Sequence, residues 1–107
     1  MEAELTRLRD EARAQVEVLE RDLRGLFEAA RASNADDEHD PEGSTIGYER
    51  AQLTAVLEAT RRRVADLDDA LTRLAAGGYG ICERCGRPIP PERLAARPAA
   101  RTCVGCA

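Results

Sequence analysis

Two long stripes of apolar residues dominate the pattern of hydrophobic and polar positions along the chain. The first stripe advances in steps of three and four, with charged residues filling most of the gaps, and consists of Leu5, Leu8, Ala12, Val16, Leu19, Leu23, Leu26 and Ala30. This spacing averages close to the roughly 3.6 residues of a helical turn, and it predicts one amphipathic helix from about residue 3 to residue 32. Gly25 lies inside this helix without shifting the phase of the stripe.

The second stripe predicts another long helix. Its members are Ile46, Leu53, Leu57, Thr60, Val64, Leu67, Leu71 and Leu74. The average step is nearer 3.5 residues, the period typical of a coiled coil. Gly77 and Gly78 follow the stripe, and glycine is the usual residue just past a helix C-terminus.

The two stripes match each other in antiparallel register. Facing residues of an antiparallel pair have numbers with a constant sum, and the pairs that add to 79 are Leu5 with Leu74, Leu8 with Leu71, Ala12 with Leu67, Leu19 with Thr60, and Leu26 with Leu53. This register predicts a mainly α fold in which residues 1–76 form a long antiparallel two-helix coiled-coil hairpin. Each helix would be about 45 Å long, at about 1.5 Å per residue. The alternative is that the stripes pair with another molecule in a dimeric bundle; the shared register favours the hairpin.

An acidic segment at residues 33–45 separates the two stripes and predicts a tip loop. Its candidate partner-binding residues are Asp36, Asp37, Asp40 and Glu42. Pro41 and Gly43 favour a break between the helices, and Ser44 or Thr45 can cap the second one. Such a segment is either a solvated loop or a negatively charged point that inserts into a narrow site lined by metal or arginine.

The last 31 residues, 77–107, contain all four cysteines, as Cys82-x2-Cys85 and Cys103-x2-Cys106. Two such turns can aim four thiolates at one point, and this spacing fits a tetrahedral zinc site. Gly86 and Gly105 are predicted to let the two turns bend tightly. We therefore predict a small C-terminal C4 zinc finger at 77–107 that binds one structural zinc ion.

Two other uses of the cysteines fit the sequence less well. Disulfides would need an oxidising compartment, and no signal peptide pattern precedes the finger. A redox-active pair usually begins a helix of a βαβ unit, which this pattern lacks. The finger also has few large apolar residues, so metal binding is expected to supply the stability that packing cannot.

Charge and composition narrow the function further. Residues 77–107 carry five arginines against two glutamates, and four thiolates around a zinc ion add a charge of about −2. A module this weakly basic gives little support to DNA binding through phosphate neutralisation. The sequence has no apolar run long enough to span a membrane, no nucleophile–base pair and no open metal position. We expect a cytoplasmic protein that is not an enzyme.

The C-terminal motifs resemble the DksA/TraR C4-type zinc finger family. The resemblance rests on the Y-G-x-C-x-x-C-G-x-x-I opening at 79–89, the R-L-x-A-x-P middle at 93–98 and the closing C-x-x-C at 103–106. It implies a bacterial transcription regulator whose coiled coil enters the secondary channel of RNA polymerase, without specific contacts to promoter DNA. Members of the family often act with the nucleotide ppGpp, and their zinc module lies at the base of the coil.

The acidic tip differs from the family pattern in one position. The best studied members have D-x-x-D-x-A, and this chain offers Asp37-x-x-Asp40-x-Glu42, in which a glutamate replaces the alanine. The resemblance therefore assigns the regulatory role to Asp37 and Asp40.

Two other functions follow from different residues. A coiled-coil adaptor that binds another protein would depend on exposed helix residues such as Arg61, Arg62 and Arg63. A nucleic-acid-binding finger would use the arginines of the module: Arg84, Arg87, Arg93, Arg97 and Arg101.

Overall fold

The structure is a computed structural model that describes residues 1–34 and 41–107. Its first two elements are long helices, α1 at Glu2–Asn34 and α2 at Pro41–Ala76. A short helix, α3, spans Pro91–Ala96, and a 3₁₀ turn spans Val104–Cys106. The described residues are thus mainly helical, as the two apolar stripes predict. No helix among them is both long enough and apolar enough to cross a membrane.

Helix α2 begins at Pro41, inside the segment predicted to be the tip loop. The predicted loop of residues 33–45 is therefore too long at both ends, since α1 also extends to Asn34. Proline fits the first helical position because its missing N–H would have no partner there, and its fixed φ already suits the helix. The predicted tip residues Asp36, Asp37 and Asp40 lie outside the described residues. Glu42 belongs to α2, but its side chain is not among those that the structure describes.

Helix α2 ends at the predicted glycine pair. Gly77 has a φ of +86°, which side chains larger than hydrogen disfavour. Its N–H donates to the carbonyl of Leu74 at 3.2 Å, and the N–H of Gly78 donates to the carbonyl of Arg73 at 2.8 Å. These two bonds form a Schellman motif, which satisfies carbonyls that the helix end would otherwise leave open.

The predicted stripes form the apolar core, since each of their sixteen residues is buried or half-buried. The chain divides into two compact units, one made of Met1–Glu11 with Arg63–Ala107 and the other of Ala12–Arg62. In the first unit Leu5, Leu67 and Ala70 are buried. In the second, Ala12, Leu57 and Thr60 are buried, and the Thr60 hydroxyl donates to the carbonyl of Val56 at 2.8 Å.

The two long helices pack against each other in the predicted antiparallel register. Within the first unit Arg9 forms an ion pair with Asp68 at 3.5 Å, and within the second Arg61 pairs with Glu20 at 3.2 Å. The residue numbers of these pairs add to 77 and 81, on either side of the sum of 79 that the stripes predict.

The further division into functional segments, 1–76 and 77–107, stays a prediction.

Candidate metal centre

The first cysteine pair lies in a tight antiparallel turn. An isolated β-bridge joins Ile81 to Pro88, and the N–H of Cys82 donates to the carbonyl of Arg87 at 2.8 Å. The chain reverses through Gly86, whose φ is +73° and whose N–H donates to the carbonyl of Cys82 at 2.9 Å. This geometry confirms the role predicted for Gly86 and brings the Cys82 and Cys85 thiols to the same side of the turn.

The second pair lies at the 3₁₀ turn, where the N–H of Cys106 donates to the carbonyl of Cys103 at 3.1 Å. Gly105 sits inside this turn but does not have a positive φ. The prediction that Gly105 supplies special backbone freedom is therefore wrong, because a 3₁₀ turn uses φ values that any residue adopts.

The four sulfurs converge on one point. The Sγ atoms of Cys82, Cys85, Cys103 and Cys106 all lie within 4.8 Å of one another, and the Cys85 and Cys103 sulfurs are 3.8 Å apart. A tetrahedron with Zn–S bonds of about 2.3 Å has sulfur–sulfur edges of about 3.8 Å. The cluster therefore fits one zinc ion, and four protein ligands leave no coordination position open to water or a substrate.

Hydrogen bonds within the cluster shift the pKa of two of its thiols in opposite directions. Hydrogen bonds from backbone N–H groups, first that of Cys85 and then that of Cys103, lower the pKa of the Cys82 thiol to about 6. Hydrogen bonds to the Cys103 and Cys82 sulfurs raise the pKa of Cys106 to about 12, because they favour its protonated form. Zinc binds the thiolate form of cysteine, so binding would displace the proton that the raised pKa keeps on Cys106.

Packing around the metal centre is thin. Cys82 and Ile89 are buried, and Leu94 is half-buried. Ile81 and Val104 are 43% and 69% exposed, so two of the few large apolar residues of the finger add little to its core. This distribution supports the expectation that the metal supplies much of the stability of the module.

A row of hydrogen bonds that sequence reasoning missed holds the segment leading into Cys103. The five consecutive carbonyls of residues 98–102 each accept one. The donors, in order, are the Tyr79 hydroxyl at 2.8 Å, the two terminal nitrogens of Arg73 at 3.3 and 3.4 Å, the N–H of Glu83 at 2.9 Å and Nε of Arg93 at 2.8 Å. The spacing of residues along the sequence does not predict these hydrogen bonds, because donor and acceptor are 9 to 27 residues apart.

Asp69 of helix α2 makes a second set of contacts with this segment. Its carboxylate pairs with Nε of Arg73 at 2.9 Å and with a terminal nitrogen of Arg101 at 2.8 Å. Two of the five arginines considered for nucleic-acid binding thus make contacts within the chain. Arg93 contacts the module, and Arg101 contacts α2. The other three, Arg84, Arg87 and Arg97, are exposed.

Comparisons with known proteins agree with this site. Residues 77–107 match the model of the prokaryotic dksA/traR C4-type zinc finger. General stress protein 16O of Bacillus subtilis is 36% identical over 77 residues, which are 72% of this chain and 47% of that protein. The RNA polymerase-binding transcription factor DksA of Caulobacter vibrioides is 39% identical over 56 residues, which are 52% of this chain and 39% of that one.

Similarity to a solved structure extends over both long helices and the finger. The structure of transcription factor DksA2 from Pseudomonas aeruginosa aligns with a TM-score of 0.58 and 29% identity, covering 97% of this chain and 80% of that one. The chain spans less than half the length of the curated relatives it matches.

Proposed function

Because residues 77–107 form a DksA/TraR-type C4 zinc finger behind two long packed helices, we propose that the protein is a transcription regulator that binds RNA polymerase. The observation that carries the proposal is the closed four-sulfur cluster in a compact unit with the neighbouring ends of both helices. A metal held by four thiolates has a structural role, so the module serves to shape and hold a protein surface. The names of the Caulobacter and Pseudomonas proteins supply the partner and the process.

In the proposed mechanism the helical hairpin enters the secondary channel of the polymerase. Asp37 and Asp40 then act on the channel or its bound metal through their negative charge, while the zinc module anchors the base of the hairpin. The carboxylates would act by electrostatics, since the interaction of unit charges grows strongly in a narrow site that excludes water. Regulation would follow from a changed lifetime of promoter complexes, with or without ppGpp.

The test is in vitro transcription with RNA polymerase from the source organism, at a promoter whose open complex is short-lived. We expect the wild-type protein to change transcript yield and the Asp37→Asn/Asp40→Asn variant to lose this effect. Binding of the variant to polymerase, measured separately, should fall by no more than about threefold, because contacts along the helices and the module remain. Parallel titrations with and without ppGpp would identify any dependence on the nucleotide.

A matched control removes the same charge from another place. Asp22→Asn/Glu28→Gln neutralises two exposed carboxylates of α1 and should leave the transcriptional effect unchanged. An equal loss in both double variants would refute a specific role for the tip. Folded, zinc-loaded protein that neither binds polymerase nor changes transcription would refute the proposal and favour an adaptor that binds a different protein.

A further inference from the structure

The segment Pro98–Thr102, which we call the carbonyl arm, is held along its entire length before the chain reaches Cys103. Its five carbonyls accept hydrogen bonds from Tyr79, Arg73, Glu83 and Arg93, as described above. Glu83 lies between the first two cysteines, and the other three donor residues lie outside the cysteine motifs.

The position of the arm gives it a direct link to metal binding. It connects α3 to the second cysteine pair, so it decides whether Cys103 and Cys106 meet Cys82 and Cys85. A flexible arm would have to lose its conformational freedom when the metal binds, and that loss would weaken binding. An arm already held by hydrogen bonds has lost most of this freedom beforehand.

Among these donors, Arg73 is the most distant in sequence from its acceptors, at 26 and 27 residues. It lies on α2, has a side chain only 19% exposed, and donates to the carbonyls of Ala99 and Ala100. Asp69, one turn earlier, pairs with the guanidinium of Arg73 and also with Arg101, the fourth residue of the arm. Ala70, between them on the same helix, is fully buried.

We propose that Asp69 and Arg73 are positioning residues for the zinc site, which act by holding the carbonyl arm so that the second cysteine pair is in place before the metal binds. The last turns of α2 and the metal centre then form one thermodynamic unit. Zinc binding stabilises the end of α2, and an intact end of α2 raises zinc affinity to the same extent, because coupling between two sites is reciprocal.

The test measures zinc affinity of the full chain by competition with a chelator. Arg73→Met keeps most of the apolar length of the side chain but removes its three contacts, and we expect it to raise the zinc dissociation constant about tenfold. Asp69→Asn removes two partly exposed ion pairs and should raise it about threefold. Arg73→Lys, which keeps the positive charge but not the forked donor geometry, should fall between wild type and Arg73→Met.

The chain offers closely matched controls. Asp68 is next to Asp69 on α2 but forms an ion pair with Arg9 of α1, so Asp68→Asn makes the same chemical change away from the carbonyl arm. Arg62→Met removes a guanidinium from an exposed position of the same helix. Both controls should bind zinc with wild-type affinity.

Cobalt spectroscopy separates positioning from a general loss of structure. Co²⁺ in a tetrahedral four-thiolate site gives a characteristic absorption spectrum, and the proposal predicts a wild-type spectrum in Arg73→Met once the site is saturated. Weaker affinity with an unchanged spectrum supports positioning. Unchanged zinc affinity in Arg73→Met and Asp69→Asn would overturn the proposal, as would an altered cobalt spectrum or an equal loss of affinity in Asp68→Asn.

Discussion

Tyr79 shows how a single side chain links the two halves of the finger. It precedes the first cysteine pair, and its hydroxyl donates to the carbonyl of Pro98, ahead of the second pair, at 2.8 Å. Burial raises the pKa of Tyr79 above its ordinary value of 10, because the charged phenolate is poorly solvated there. The neutral form is thus favoured in the folded protein, and ionisation would remove the hydrogen bond.

We expect Tyr79→Phe to destabilise the zinc-loaded module by about 1 kcal/mol, the usual net contribution of one hydrogen bond. Because the pKa of Tyr79 is raised on folding, its contribution is complete below pH 10 and is lost as the pH rises through the raised pKa. Ultraviolet titration of a Tyr48→Phe variant, in which Tyr79 is the remaining tyrosine, should show ionisation above pH 10. Ionisation at or below pH 10 would contradict the prediction.

At the scale of the element, a glycine inside a helix and a glycine just past a helix end have opposite effects. Gly25 lies inside α1, and a Cβ added there would meet no atom within 4 Å. Gly77 follows the last residue of α2, and a Cβ would also find open space, but its φ is +86°. A Cβ would therefore fit without a clash at both positions. The two glycines differ in backbone conformation, because only Gly77 has a positive φ.

Alanine substitution should accordingly have opposite effects at these glycines. We expect Gly25→Ala to stabilise the protein by about 0.5–1 kcal/mol, because alanine loses less backbone entropy in a helix. Gly77→Ala should destabilise it by about 1 kcal/mol, because a Cβ is strained at positive φ. Thermal and urea unfolding of the two variants would measure the difference, and shifts of the same sign would contradict it.

At the scale of the whole molecule, two sources of stability act in different parts of the chain. The apolar stripes bury side chains between α1 and α2 in both compact units. The finger buries few large side chains and depends on four sulfurs that fit one metal ion. Removing the metal should therefore affect residues 77–107 far more than the helical pair.

We expect chelation of zinc to lower the protection of backbone amides from exchange in residues 77–107 far more than in the two long helices, so that most of the far-ultraviolet helical signal remains. A structural zinc ion contributes on the order of 10 kcal/mol to a finger, more than the packing of this module can replace. Amide exchange monitored by mass spectrometry, together with thiol accessibility, would test this. Cys106→Ser should resemble the chelated protein, and complete loss of helical signal on chelation would contradict the prediction.

The sequence by itself was enough to predict those features that depend on spacing along the chain. The stripes predicted both long helices and their antiparallel register, and the ion pairs of Arg9 and Arg61 agree with that register. The two C-x-x-C motifs predicted the four-sulfur cluster. These features were predictable because a helix repeats with a fixed period and a short turn brings neighbouring residues together.

Only the tertiary structure decided which residues outside the motifs support the metal centre. The contacts of Asp69 and Arg73 with the carbonyl arm depend on how the finger packs against the end of α2, and no local pattern encodes that orientation. The start of α2 at Pro41 and the ordinary backbone of Gly105 were also missed. Proline and glycine indicate where a chain can turn, whereas the surrounding structure decides whether it does.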